Sequence, residues 1–319
     1  MHNNPLVTIA VIAYNSSKFI SETLDSIKNQ SYNNIELIVS DDCSTDLTLE
    51  ICEKWIEANR SRFVDIYLIK STENQGIPAN VNRVISKTKG VWVKLIAADD
   101  ILHPHSISSF IKYSKFNINA KIITSVSQPF KDIYSKNNFS KPIQGNSTFN
   151  NKKITALQQY KMLLFRCVVH APNVIISTDL IKTVGKFDEK FKFMEDYPYW
   201  LRVAKLGYKF YFLNRITVFY RIHSTSIYNK KTGNILFNNF YILKRPFERE
   251  YIYPNISKLA KFIYELEFLR KKMIDFCGLN KDFKLNKIIY LTSNYVNPFN
   301  LYVLLKIMKI NREIKKYDK

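Results

Sequence analysis

Glycine is scarce in this chain of 319 residues: seven in all, too few for a fibrous, collagen-like or low-complexity sequence. Cysteine is scarcer still. Cys43, Cys52, Cys167 and Cys277 lie far apart and form no C-x-x-C pair, which argues against a disulfide framework or a thiolate zinc site and predicts reduced thiols in a cytoplasmic protein. No apolar run approaches the ~20 residues that a bilayer span requires. The opening MHNNPLVTIAVIAYN carries no basic leader, and its apolar stretch has the length of a strand, so a soluble or peripheral protein is expected. Acidic residues are also in deficit, 27 against 48 Lys and Arg, for a net charge of +21. Such a surface attracts polyanions: nucleic acid, anionic lipid or phosphorylated small molecules. A chain rich in Lys, Asn, Ile and Tyr also arises from genomic base bias, so charge alone selects no partner.

What the chain does have is core material, 46% hydrophobic and 14% aromatic residues. Through the first 125 residues, strand-like runs alternate with helical spacing. Residues 6–13, 35–40, 63–69 and 90–96 read as strands. Helices follow the first three of them, with Ile20, Leu24 and Ile27, then Leu47, Ile51 and Trp55, then Ile77, Val81, Val84 and Ile85 as their apolar faces. Repeated strand–helix units predict an α/β fold, a Rossmann-like, mostly parallel sheet flanked by helices. Ligands of such sheets bind beyond the carboxyl ends of the strands. The polar residues found there are Tyr14-Asn15, the run from Asp41 to Asp46, Asn74-Gln75-Gly76, and Asp99-Asp100. From about 128 to 154 the chain turns polar and reads as a long loop. Helix and strand patterns resume at 155–166, 174–177 and 209–220. Beyond 228 the pattern becomes helical and basic, with Leu259, Phe262, Ile263, Leu266, Leu269 and Met273 at helical spacing, Gly278 as a cap, and a last helix over 301–316.

The stretch VWVKLIAADDILHP poses the chemical question. Val91, Val93, Leu95 and Ile96 belong in a core; Asp99 and Asp100 do not, because adjacent like charges repel and burial disfavours both unless a cation joins them. The pair by itself fits either a divalent cation that also holds phosphate oxygens, or a solvated turn ahead of the helix near Pro104.

The rest of the chain narrows that choice through a resemblance. VTIAVIAYNSSKFISETLDSIKNQSYNNIELIVSDDCSTD, NQGIPANVNR, KLIAADDILHP, VGKFDEKFKFMEDYPYWLR and FYRIHSTSI are similar, in order and spacing, to the motifs of the family-2 glycosyltransferases, over about residues 5–228. The resemblance implies a GT-A nucleotide-sugar-binding and catalytic domain over 1–228 and leaves 229–319 as a basic helical region for acceptor or membrane contact. It implies a donor site of Ala13, Tyr14, Asn15, Asp42, Asn74, Gly76 and Asp99, with Tyr14 against the base, Asp42 accepting from a base ring nitrogen and Asp99 at the ribose. Asp100 and His223 would hold a divalent cation, Mn²⁺ or Mg²⁺. The Glu195-Asp196 pair would supply the general base, Asp196 in particular. The activity implied is inverting transfer from a nucleotide-sugar, expected to be UDP-linked, to a glycan or lipid-linked acceptor in bacterial surface-polysaccharide synthesis. It would act in the cytoplasm or peripherally at the inner face of an anionic membrane.

Three departures stand out: Ala97 where a further Asp is frequent, Val81 where an Arg is frequent, and Pro198 where some members carry another acid. Several residues keep two readings. His103 and His105 are metal ligands or surface residues beside a helix start. Cys167, His170 and Asn173 line the acceptor side or pack. Tyr199 and Trp200 stack on a sugar or belong to the core. Two rival functions remain, a nucleotide-sugar-binding module without turnover and a basic nucleic-acid-binding protein. The second rests on charge alone, since no nucleic-acid-binding motif is present, and no nucleic-acid partner is expected.

Overall fold

β1 (Val7–Ala13) is apolar at six of its seven positions and buried at six, the pattern of a central strand covered on both faces. In the computed structural model it is flanked by β2 (Ile35–Asp41), wholly buried, and β4 (Trp92–Ala97), with β3 (Asp65–Lys70) outside β2; these pairings are all parallel. The structure describes residues 4–191, 194, 196–223, 237, 240–281 and 283–316. Helices α1 (Ile20–Lys28), α2 (Thr48–Asn59) and α3 (Ile77–Lys87) return the chain between these strands. Then come β5 (Ile101–Leu102), α4 (Ser106–Phe116), β6 (Ile122–Lys131), α5 (Ala156–Leu163), β7 (Val174–Ser177), α6 (Thr178–Val184), α7 (Asp196–Lys205) and β8 (Phe210–Ile222). The sheet order is β3-β2-β1-β4-β7-β6-β8-β5. Its first half is parallel, but β4–β7, β6–β7 and β5–β8 are antiparallel, so the second half is mixed rather than mostly parallel. Two compact units divide the chain, Met1–Gln159 with Cys167–Ile222, and Tyr160–Arg166 with His223–Lys319.

The register aligns the strand ends that matter. Ala13 lies opposite Asp41, Asp41 opposite Lys70, and Ile12 opposite Ala97, so β1 to β4 finish along one edge. Below that edge lies a core in which Ile9, Val11, Ile20, Leu24, Ile35, Leu37 and Val39 are fully buried, each contributing about 1.5–3 kcal/mol by leaving water. Close approach at its base depends on Gly90: a Cβ there would meet the Thr8 backbone nitrogen at 2.5 Å.

Three expectations are corrected, and one open choice is settled. Val91 is exposed, while Trp92 and Lys94 are buried, because the strand begins at Trp92, two residues later than expected, and Lys94 lies opposite Ile9 inside the sheet. Its ammonium is capped by the backbone carbonyls of Leu95, Pro172 and Val174, and burial pushes its pKa down to about 7. Leu47 is exposed; α2 buries Thr48, Cys52 and Ile56, with Ile51 and Trp55 at the margin. The polar stretch after residue 128 opens as strand, since β6 runs to Lys131 and pairs with β8. Bridges Ser127–Ile143 and Phe130–Phe139 fold the following loop back onto it. Of the two readings kept for Tyr199 and Trp200, the core one holds: Tyr199 stacks on Phe187 at 4.1 Å, and both side chains are buried.

The second unit contains α8 (Phe240–Leu243), α9 (Arg245–Phe247), a π-turn at Glu248–Ile252, then α10 (Lys258–Phe276), α11 (Lys284–Tyr295) and α12 (Pro298–Lys316). Ser257 caps α10 by accepting from the Ala260 N–H, and Gly278, at φ 68°, closes it. Buried polar groups tie the helices together. Arg245 donates to Glu248 and to the Tyr253 hydroxyl, and Arg270 donates to Glu267 on its own helix and to Ser293 of α11. Among the described residues, no helix is long and apolar enough to cross a membrane.

Candidate active site

The first loop of the edge holds an unusual backbone. Asn15 and Cys43 both sit at positive φ without being glycine, 47° and 63°. Their strain is offset by interlocking hydrogen bonds: the Asn15 N–H donates to Ser44 Oγ at 2.8 Å, and Asn15 Oδ1 accepts from the Thr45 N–H at 2.8 Å. Asp46 receives the N–H groups of Ser17 and Thr48, and these bonds hold its carboxyl below the ordinary range although burial works the other way. The result is a rigid turn from which Tyr14 projects an exposed ring.

Asp42 follows the end of β2 and is buried, its N–H bonded to the Ala13 carbonyl at 2.9 Å. Its carboxylate is held by three donors: the Gly76 N–H at 2.7 Å, the Gln75 N–H at 3.3 Å and the Arg83 guanidinium. Gly76 has φ 90°, a left-handed conformation that turns its N–H onto Asp42 just before α3 begins. Asn74 beside it is exposed. The arginine frequent in this helix is expected at position 81, where this chain has Val81; Arg83 stands two residues on. One-half turn further along α3, it meets the same edge.

At the end of β4, Asp99 is half-buried and Asp100 fully buried. Asp100 Oδ1 accepts the Arg221 N–H at 2.9 Å, and its carbonyl accepts from Thr23 at 2.7 Å. Asp100 Oδ2 is buried and has no hydrogen-bond partner. Burial, then the charge of Asp99, push the Asp100 carboxyl well above the ordinary range, against the opposing pull of Arg221 and Lys94. Arg221 is the organising residue here. Its guanidinium lies between the rings of Phe19 and Phe130, 4.6 Å from each centroid, and donates to the carbonyls of Asp99 and Asp132 and to Glu22.

Residues 8–184, more than half of the chain, match the model of Glycosyl transferase family 2. The chain belongs to that family. It is 29% identical over 235 residues to the Escherichia coli UDP-Glc:alpha-D-GlcNAc-diphosphoundecaprenol beta-1,3-glucosyltransferase WfaP, covering 72% of this chain and 83% of the relative. Among solved structures, Staphylococcus aureus TarS 1–349 in complex with UDP-GlcNAc superposes with a TM-score of 0.60 at 17% identity, over 98% of this chain and 90% of that one. The mannosyltransferase PcManGT from Pyrobaculum calidifontis in complex with GDP-Man and Mn²⁺ gives 0.55 at 15%, over 100% and 89%. At these identities the two structures speak for the fold alone, and they bear out the GT-A architecture.

The remaining candidates of the glycosyltransferase fall in different places. Asp196 is half-buried at the first turn of α7; burial, partly offset by the Tyr197 N–H, pushes its pKa up to about 6. Glu195 lies outside the described residues. His223 directly follows β8 and belongs to the second unit. His105 bonds Ser31 at 2.9 Å and His103 packs beside Phe219. His170 bonds Ser127 and packs edge-on against Tyr220, and burial pushes its pKa down to about 4, so it is a neutral packing residue. Asn173 and His170 line a cavity of about 10 Å³, room for one water and not for a sugar.

Among the described residues no group of three or more His, Cys, Asp or Glu could cage a metal ion. The unpaired Asp100 Oδ2 beside Asp99 nevertheless suits a hard cation, because Mg²⁺ and similar ions take one or two carboxylates and complete their shell with water and phosphate.

Proposed function

We propose that this glycosyltransferase is a metal-dependent, inverting enzyme that moves a sugar from a UDP-linked donor to a hydroxyl of a glycan or lipid-linked acceptor in bacterial surface-polysaccharide synthesis. The observation that carries the reading is the asymmetric aspartate, Asp100, with one oxygen fixed by the Arg221 N–H and the other buried and free for a ligand. The names of WfaP and of the TarS complex support UDP-sugars, and that of WfaP a polyprenyl-linked acceptor, whereas PcManGT is in complex with GDP-Man.

In this reading Tyr14 offers its face to the base, and Asp42 accepts the base N–H with a lone pair that Gly76, Gln75 and Arg83 leave over. Asn74 and Gly76 border the donor, and Asp99 meets the ribose. Asp100, with His223, would hold a divalent cation, whose Lewis acidity would neutralise charge on the departing diphosphate. Asp196 takes the proton from the acceptor hydroxyl as that oxygen attacks the anomeric carbon from the face opposite the diphosphate. One displacement inverts the centre without a covalent enzyme intermediate. A base whose pKa is about 6 is ionised at neutral pH and still basic enough to take a proton in the transition state. A lipid-linked acceptor would draw the enzyme to the inner face of the cell membrane.

Calorimetric titration of UDP-, GDP- and CDP-sugars, with and without Mn²⁺, tests the reading on wild type and Asp100→Ala. The expected outcome is Mn²⁺-dependent binding of UDP-sugar that the variant loses. Binding of none of the three would overturn it, and equal binding by the variant would remove Asp100 from the site.

A further inference from the structure

The second unit carries apolar surface that its own packing does not use. α12 buries Val303, Ile310 and Ile314 along one side. At 100° per residue, Leu301, Leu304, Leu305 and Met308 fall on the opposite side, and these four are 41–59% exposed. The same outward line continues into Arg312 and Lys315, with Lys309 at its margin, all exposed. α11 buries none of its residues; Leu285, Ile288, Leu291 and Tyr295 share one exposed side with Lys284 among them. Across residues 284–315 there are six Lys and Arg and a single acid, Glu313.

A helix with two opposed apolar faces has a cover for each, and the outward one here is interleaved and prolonged by cations. A second copy of the chain would complement it poorly, because a two-fold interface sets a patch against itself and would oppose cation to cation. A bilayer surface rich in anionic headgroups matches both components, accepting apolar side chains at the acyl boundary and phosphates at the cations. We infer that the outward faces of α11 and α12 form a docking surface for an anionic phospholipid bilayer. Leu301, Leu304, Leu305 and Met308 enter the interface, and Lys309, Arg312 and Lys315 lie on the headgroups. The inference supplies a surface for the membrane placement in the proposed function. It is read by vesicle binding without any donor, so either reading fails without the other.

The experiment is flotation of the full chain with phosphatidylglycerol-containing vesicles and with pure phosphatidylcholine vesicles, at about 0.1 and 1 M salt. Binding to the anionic vesicles alone, released at high salt, is expected. Lys309→Gln/Arg312→Gln/Lys315→Gln weakens it roughly 100-fold, and Leu304→Ser/Leu305→Ser at least about tenfold. A control triple in the first unit, Lys87→Gln/Lys112→Gln/Lys115→Gln, changes it by less than about threefold. Equal losses in control and test triples would reduce the effect to net charge and overturn the inference, as would no vesicle binding at all. So would a salt-insensitive dimer in sedimentation that Leu304→Ser/Leu305→Ser dissociates. The outward stripe of α10, with Leu259, Phe262, Leu269, Met273 and Phe276 at steps of three, four and seven, is the further apolar surface such a dimer would cover.

Discussion

The carboxyl edge of β1–β4 and the outward faces of α10–α12 treat their side chains in opposite ways. At the edge, apolar groups are buried and polar groups are paired one by one: Asp42 with three donors, Asp46 with two N–H groups, Arg221 between two rings and three acceptors. Among the carboxylates there, one oxygen of Asp100 is buried without a partner. In the helices, large apolar residues stand in solvent in ordered lines, while the charges behind them are paired. A site proposed to hold one small molecule in one pose fixes most of its polar atoms and leaves few open. A surface that must meet an extended partner leaves a whole stripe open.

Mutations can break that contrast. Asp100→Asn should have the largest effect, lowering transfer about a thousandfold in a steady-state assay and abolishing the Mn²⁺ dependence of donor binding. Asp196→Asn should lower transfer by about 10²–10⁴ with donor affinity unchanged, which calorimetry separates from a binding defect. The wild-type rate should fall about tenfold per pH unit below pH 6, because a carboxyl whose pKa is raised to about 6 gains its proton there; a profile flat down to pH 5 would remove Asp196 as base. Arg221→Met leaves the Asp99 and Asp132 carbonyls without their donor and should destabilise the fold by about 3 kcal/mol, read as a drop of several degrees in Tm. Arg83→Ala removes one of three donors from Asp42 and should weaken UDP-sugar binding about tenfold. At the small end, Leu304→Ser/Leu305→Ser should leave Tm within about 1 °C and turnover of a soluble acceptor within about twofold, since both side chains are already in water.

Much of the edge was legible because its signals are local. Strand-length apolar runs ended at polar pairs, and parallel strands in sequence place those pairs side by side. That places Tyr14, Asp42, Asp99 and Asp100 from order alone. What stayed illegible depended on distant chain. Arg221 lies 121 residues from the carboxylate it orients; it stands inside the FYRIHSTSI motif, but the motif does not say which acid its N–H meets. Lys94 reads as an exposed strand residue until the carbonyls of Pro172 and Val174 arrive to cap it. β6 was hidden because Ser, Gln, Pro and Lys break its apolar alternation, and its partner β8 comes some eighty residues later.

In the basic helices the division is clearer still. Periodicity alone determined that Leu259, Phe262, Leu269 and Met273 share a side of a helix, and that Leu301, Leu304, Leu305 and Met308 do. Which side faces inward is a different matter, because a helix with apolar residues on two sides can satisfy either one. Tertiary packing decided it, by giving Val303, Ile310 and Ile314 the interior and leaving the other line to the solvent. The sequence determined β1–β4 with their helices, the strand-end carboxylates and the family, each set by short-range pattern. The tertiary structure decided which oxygen of Asp100 stays free and which face of α12 stays bare, because both depend on groups brought together only by long-range folding.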